Sequence, residues 1–268
     1  MASDGGVTGA PSAVFQCDSH PVISRVFGGS DPSALVSAIF ANYANHIPGL
    51  ELPEGDSMFE MDHVCWRCAD IEEYLRIRQQ LLVDSLNGDG DGADMLLESM
   101  IGGRPIATFQ LKEPLVFRRT RDRVLSSGDS RTTNNMVMKC SVIELPSPKR
   151  GSPYPSGWEH AEFAVGEGRF EEFVAKYVGG GNGEENPVDG ADPEKPHPLN
   201  WCTDALKKKV NADISLSFTF SRTKEKDLST VHGSVKFHEL PLAEVIRREI
   251  MHGDVIPIPE DYFSGKSD

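Results

Sequence analysis

The chain of 268 residues is long enough for one large domain or two small ones with an ample hydrophobic core. A hydrophobic fraction of 38% and a mean hydropathy of −0.35 are typical of a soluble globular protein, and no apolar run approaches the roughly 20 residues that span a bilayer. The net charge of −14 argues against nucleic acid or an anionic membrane surface as the main partner.

The first half of the chain contains one predicted helix–strand–helix order followed by three strands. Residues 1–30 are rich in Gly, Ser and Pro, which predicts a poorly ordered or loosely docked leader. Ser-Asp-Pro at 30–32 is typical of a helix start, so a helix is expected to follow. The later elements are expected in this order: a strand at 58–68, a helix at 70–86, a hairpin of strands at 95–100 and 106–111, an exposed charged insertion at 118–134, and a strand at 136–145.

The second half repeats this order after the Pro-containing linker 146–156. The predicted elements are a strand at 158–165, a helix at 169–178, a Gly/Pro-rich acidic loop at 179–203, one or two strands within 206–220, a strand at 230–238, and a helix at 241–251. Each half therefore reads strand–helix–strand–strand–strand, which indicates a duplicated unit.

The first strand of each half has a polar face headed by a histidine. His63, Cys65 and Arg67 share one face in the first half, and His160 and Glu162 share one face in the second. The alternate residues are mostly apolar and suit a back that helices cover.

The last strand of each half repeats the two-faced pattern, so four strands offer one polar face. Two imidazoles and a carboxylate with open positions form a recognised set of ligands for Fe, Mn, Ni, Co or Zn as divalent ions. The alternative is the wet face of an antiparallel sheet, which usually carries Lys, Glu, Thr and Ser rather than three histidines. The members of this face are His63, Arg67, Glu144, His160, Glu162, Lys236 and His238.

Five segments carry a resemblance to a known family. They are Asp-His-Val-Cys-Trp-Arg-Cys at 62–68, Met-Ile-Gly-Gly-Arg-Pro-Ile at 100–106, Val-Ile-Glu-Leu-Pro at 142–146, Gly-Trp-Glu-His at 157–160, and Val-Lys-Phe-His at 235–238. In this order they resemble the YecM family, a branch of the vicinal-oxygen-chelate superfamily. The resemblance covers roughly 33–252, with longer loops than expected near 87–92, 118–134 and 179–203.

The resemblance implies an α+β fold of paired βαβββ modules. Their sheets would form a cupped, partly open mixed β-sheet barrel with helices on its outer face. The implied layout is a single domain at 31–252, with modules at about 56–146 and 157–240, helices 31–46 and 241–251 packed outside, and a tail at 253–268.

The resemblance also implies a ligand set, because such folds take metal ligands from the first and last strands of each module. Matched by position, the ligands are His63, Glu144 and His160, with the fourth near His238. A glutamate is usual at the fourth position. The fourth ligand is therefore His238, Glu239 after a local bulge, or absent.

The leading hypothesis is a metal-dependent isomerase, lyase or oxygenase of this superfamily, acting on a small oxygen-rich molecule. Glu162 or His238 could act as a base, and Arg67, Arg104 or Lys236 could hold an anionic group. The alternative is a metal-free small-molecule-binding module of the same fold. A weaker third possibility is an interaction protein built on the long loops.

The five cysteines are an odd number in a sequence without a recognisable secretion signal, which predicts reduced thiols and a cytoplasmic location. Cys65 and Cys68 form a C-x-x-C, but on a strand their side chains point to opposite faces. That spacing suits neither a zinc site nor a redox pair, so Cys68 is expected in the core and Cys65 in a pocket wall.

Overall fold

A computed structural model describes residues 14–47, 50, 60–86, 92–120, 137–149, 154–178, 199–208, 210–224 and 227–264. The strands are β1 (Val14–Cys17), β2 (Glu60–Arg67), β3 (Ala93–Ile101), β4 (Arg104–Thr120), β5 (Val137–Pro146), β6 (Gly157–Ala164), β7 (Asp213–Lys224) and β8 (Asp227–His238). The helices are α1 (Pro21–Val26), α2 (Ser33–Tyr43), α3 (Ile71–Leu86), α4 (Phe170–Tyr177) and α5 (Leu242–His252). Within the described ranges, no helix is both long and apolar enough to cross a membrane.

All eight strands belong to one mixed sheet that curls into a half-barrel. Its order is β1-β4-β5-β2-β6-β8-β7, and β3 pairs with β4 beside this path. In each half the first strand lies parallel to the last, β2 beside β5 and β6 beside β8. The antiparallel pair β2–β6 joins the halves at the centre of the sheet. The predicted α+β class and cupped, open sheet are confirmed.

Period-2 alternation separates the two faces of this sheet. Trp66, Phe163 and Phe237 are buried on the back, as their parity predicted. The ring centroids of Phe163 and Phe237 are 5.7 Å apart, and those of Trp66 and Trp158 are 5.1 Å apart. This aromatic core holds the central strands in place, and the polar residues between them face the other side.

The ordered structure begins earlier than predicted. Strand β1 pairs antiparallel with the end of β4, and Phe15 packs against Phe40 with ring centroids 4.5 Å apart. The His20 side chain accepts a hydrogen bond from Val22 N and so caps α1. Residues 14–26 thus contain a strand and a helix, which differs from the poorly ordered segment that was predicted there, and residues 1–13 lie outside the described part of the chain.

Two further predictions differ from the structure. Strand β4 continues to Thr120, so the expected insertion at 118–134 can begin only after it, and residues 121–136 lie outside the described part. In the second half β7 agrees with the prediction of one or two strands within 206–220. The five-element order predicted for this half is not complete, because an isolated bridge between Cys202 and Ser215 and a 3-10 helix at Asp204–Lys207 occupy the place of its second strand. The segment 203–209 has one β-branched residue and three lysines, a composition that disfavours a strand.

Candidate metal centre

Strand register brings the predicted polar residues together at the centre of the sheet. His63 lies opposite Glu162 across the β2–β6 ladder, and Cys65 lies opposite both His160 and Glu144. Directly paired residues on neighbouring strands point to the same face. His63, Glu144 and His160 accordingly each offer a ligand atom within 4.8 Å of the others.

Glu162 lies among three imidazole rings. Its Oε1 is 3.4 Å from Nε2 of His63 and 3.2 Å from Nε2 of His160, and its Oε2 is 3.5 Å from Nε2 of His238. Nε2 of His160 is also 3.1 Å from Oε2 of Glu144. Two atoms each about 2.1 Å from one metal ion at a tetrahedral angle are about 3.4 Å apart. The observed separations of 3.1–3.5 Å are therefore compatible with ligands around a shared cation.

In two of the three imidazole rings, those of His63 and His238, Nδ1 faces a hydrogen-bond acceptor. Nδ1 of His63 is 2.8 Å from Oδ2 of Asp62, and Nδ1 of His238 is 2.7 Å from the carbonyl oxygen of Leu240. A carboxylate or carbonyl cannot donate, so Nδ1 carries the proton in the neutral ring and Nε2 presents a lone pair. Nε2 of His63 and of His238 is buried without a hydrogen-bond partner among the described residues. A cation between these atoms and the carboxylates would satisfy them.

The charges of the cluster are unbalanced when the imidazoles are neutral. Burial raises the pKa of Asp62, but contacts with the imidazoles of His238 and His63 outweigh it and lower the pKa to about 2. Burial also raises the pKa of Glu162, while Lys236 and His63 hold it well below its usual range. Glu144 is lowered by His160 in the same way, to a pKa of about 2. Three carboxylates and one ammonium leave two negative charges, which one divalent ion neutralises.

Protons on the imidazole rings would compete with a metal ion for the ring nitrogens. Burial lowers the pKa of His63, but the carboxylates of Glu162 and Asp62 outweigh it and raise the pKa to about 10. The pKa of His160 is likewise raised well above its usual value despite the opposing effect of burial. A metal ion would displace these protons, as it does at other imidazole sites.

The Lys236 side chain places a positive charge of the protein beside Glu162 and His160. Its Nζ donates to Oε1 of Glu162 and lies 3.3 Å from Nε2 of His160. Burial lowers the pKa of Lys236, but Glu162 and Glu144 raise it more, so the amine stays charged.

The remaining candidates lie outside the ring of imidazoles. Arg67 donates from Nη1 to Glu159 at 2.7 Å, and its guanidinium lies over the ring of Tyr154 at 4.5 Å. Arg104 donates to the carbonyl of Ser147 at 3.1 Å, and the candidate cluster does not include it.

The side chains of His238 and Glu239, the two candidates for a fourth ligand, face different parts of the structure. Oε1 of Glu239 accepts from Gly168 N at 2.6 Å, so this carboxylate faces the turn before α4. His238 is fully buried beside Asp62 and Glu162. Of these two residues only His238 faces the cluster.

Cys68 is buried in the core, as predicted. Cys65 is also buried, and together with Glu159 and His160 it forms a second group whose ligand atoms could hold a metal ion. Both are free thiols.

Sequence reasoning missed two acidic residues, Asp62 and Glu159. Each directly precedes a site histidine, and this repeated acid–His pair is a signal that the sequence contains. Strict alternation assigned both acids to the back of the sheet. Each instead is the extra residue of a β-bulge in the β2–β6 ladder, where the register shifts by one.

These features define an α+β protein with a candidate metal centre of imidazoles and carboxylates inside a curled mixed sheet. The family model described as YecM protein matches residues 40–249, and the chain belongs to the YecM family. A solved structure titled "Structural Genomics, Protein EC4020" is 20% identical, with a TM-score of 0.41, over 83% of this chain and 96% of that one. A comparison with curated proteins finds no match.

Proposed function

We propose that the protein is a metal-dependent enzyme of the vicinal-oxygen-chelate type, with His63, Glu144 and His160 as metal ligands and His238 as the fourth. The observation that carries the proposal is the approach of three imidazole Nε2 atoms to Glu162, within 3.2–3.5 Å. Imidazole and carboxylate ligands favour Fe, Mn, Co, Ni or Zn as the divalent ion.

The strand connections support the superfamily assignment. In the first half, β2, α3, β3, β4 and β5 follow one another as βαβββ, with β2 parallel to β5. The second half has the same plan, with the bridge at Cys202 in place of one strand. Two such units meet through their first strands, so both leading histidines lie at the joint.

Acid–base and binding roles follow from the contacts. The metal, when bound, supplies a Lewis acid that stabilises negative charge developing on a substrate oxygen. Glu162, where it is not a ligand, accepts a proton from the substrate. The Nζ atom of Lys236 contacts Glu162 and His160, so it can bind an anionic oxygen of the substrate beside them. The substrate class is a small, oxygen-rich molecule, and the reaction is an isomerisation, a lyase reaction or an oxygenation.

We assign Arg67 to substrate orientation rather than to the reaction itself. Its guanidinium is committed to Glu159 and to the face of Tyr154, so it would orient an anionic substrate only at the rim. Substrate binding at the centre falls to Lys236.

One observation favours a second function, a metal-free binding module. Lys236 already compensates Glu162 and contacts His160, so part of the cluster is satisfied without a metal. Against this, a site that binds apolar ligands uses aromatic side chains, and the strand aromatics Trp66, Phe163 and Phe237 belong to the core on the back.

Metal content separates the two functions. Untagged protein purified without chelator would be analysed by plasma mass spectrometry, together with the variants His63→Ala and His160→Ala. We expect about one equivalent of a first-row metal in the wild type and loss in both variants. His232→Ala is the matched control, because His232 lies on strand β8 but is exposed. A wild type that holds no metal and binds none at micromolar concentration would overturn the enzyme proposal in favour of the binding module.

A further inference from the structure

The two bulges in the β2–β6 ladder place an acid beside each central histidine. On β2 the residues Asp62 and His63 together oppose Glu162, and on β6 Glu159 is the extra residue before His160. A regular strand would point each acid to the opposite face from its histidine. A bulge removes this constraint and lets both side chains approach each other.

Both acids contact the ring nitrogen that faces away from the candidate centre. Oδ2 of Asp62 is 2.8 Å from Nδ1 of His63, and Oε2 of Glu159 is 3.7 Å from Nδ1 of His160. The Nε2 atoms of both rings are directed at Glu162. An acid therefore lies beside Nδ1 of the leading histidine in each half, as a hydrogen bond at Asp62 and as a longer ion-pair contact at Glu159.

Each acid is itself held by a further donor. Oδ2 of Asp62 also accepts from Leu242 N at 2.9 Å, at the start of α5. Oε1 of Glu159 accepts from Arg67 at 2.7 Å. A carboxylate fixed in this way can hold an imidazole in one orientation and tautomer, and the loss of such a partner commonly weakens metal affinity 10–100-fold.

We infer that Asp62 and Glu159 are positioning residues, a duplicated pair of bulge-borne carboxylates that orient His63 and His160 and keep their Nε2 atoms free for a metal. The inference rests on the proposed metal site. It assigns these two acids the orientation of the imidazoles as their role, and it gives a reason for the two bulges.

The test compares Asp62→Asn and Glu159→Gln with the wild type, with Co²⁺ as the probe. The amide side chains retain an oxygen that can accept from Leu242 N or Arg67, so the fold is expected to persist. We expect Co²⁺ affinity, measured by competition with a chromophoric chelator, to fall about 10–100-fold in each variant. The Co²⁺ absorption bands should also shift, because a freely rotating imidazole changes the coordination geometry.

Glu98→Gln is the matched control. Glu98 is a shielded carboxylate that binds Tyr74 and Arg78 away from the centre, so its loss should lower stability without changing Co²⁺ affinity or spectrum. Nitrogen-15 NMR of the histidine rings supplies a readout that a purely structural role would not alter. In the Zn²⁺-loaded protein, we expect the proton on Nδ1 of His63 in the wild type and a weaker hydrogen bond from this proton in Asp62→Asn, because the acceptor loses its negative charge.

The outcomes separate the two proposals. If the wild type binds Co²⁺ and both variants bind within twofold of it with unchanged spectra, the inference is overturned and the metal site stands. If the wild type binds none, the metal site fails and the inference fails with it. Should Asp62→Asn not fold, Glu159→Gln decides, since the Glu159 side chain is 20% exposed and tolerates change better.

Discussion

Nε2 of His63 lies 3.4 Å from Oε1 of Glu162 in the interior of the protein, yet no hydrogen bond joins them. The proton of the neutral ring is on Nδ1, where Asp62 accepts it, so two electron-rich atoms face each other. Burial makes such an arrangement costly unless positive charge lies between or beside the atoms. A proton, the Lys236 ammonium and a metal ion can each supply this positive charge.

The Lys236 ammonium competes with a metal for Glu162, so Lys236→Met should raise metal affinity. A like charge close to the metal is removed and Oε1 of Glu162 is released, and we expect at least about a tenfold gain, equivalent to about 1.4 kcal/mol. In chelator the same variant should unfold more easily, by about 1–3 kcal/mol, because Glu162 loses its partner. Metal titration and urea denaturation measure the two effects.

Lys208→Met is the control for this experiment. Lys208 pairs with Asp213 but is largely exposed, so its removal should leave metal affinity unchanged and cost at most about 1 kcal/mol. Weaker metal binding by Lys236→Met would mean that the lysine supports the metal rather than opposing it.

The fourth ligand can be decided by two neighbouring substitutions. His238→Ala should weaken metal binding, since its Nε2 faces Glu162 at 3.5 Å, and Glu239→Ala should not, since its carboxylate accepts from Gly168 N. Isothermal titration with Zn²⁺ measures both. Equal affinities for His238→Ala and the wild type would leave a three-ligand centre.

Much of the site could be predicted because it depends on alternation along single strands. The pleat alone places Glu144 on one face with the three histidines His63, His160 and His238, and the resemblance selected the ligands from the residues of this face. What could not be predicted depends on register between strands about a hundred residues apart. The bulges at Asp62 and Glu159 arise from the pairing of β2 with β6, and the acid–His pairs in the sequence do not by themselves show that the register shifts there.

The N-terminal error has a similar origin. Strand β1 has four residues and lies in a segment of weak periodicity, so its local preference is small. Pairing with the far end of β4, about a hundred residues away, and the burial of Phe15 stabilise it. Tertiary contacts of this kind override local composition.

A close approach of backbone to aromatic rings in the second half gives a stability prediction. A Cβ at Gly233 would lie 2.8 Å from the ring of Phe220 and 3.0 Å from that of Phe218. Gly233→Ala should therefore lower the free energy of unfolding by about 1–3 kcal/mol, through displacement of the rings. Chemical denaturation measures the loss.

Ser221→Ala is the control, because Ser221 is exposed on the same hairpin. This substitution should change the free energy of unfolding by less than about 0.5 kcal/mol. If Gly233→Ala leaves the free energy of unfolding unchanged as well, the rings of Phe218 and Phe220 move aside without cost.

The cysteines should differ sharply in reactivity. Cys202 is exposed, whereas burial raises the pKa of both Cys65 and Cys140 to about 12. The thiolate is the reactive form, so the two buried thiols should stay unmodified near pH 8. Below a pKa of about 12 the fraction of thiolate rises about tenfold per pH unit, so these two thiols should become reactive only at strongly alkaline pH. With a maleimide reagent and mass spectrometry, we expect one fast modification per chain, lost in Cys202→Ser, and five modifications after unfolding. Fast modification of Cys65 in the folded protein would show that the wall of the candidate centre opens to solvent, and would contradict the closed arrangement of His160, Glu144 and Glu162 on which the proposed site depends.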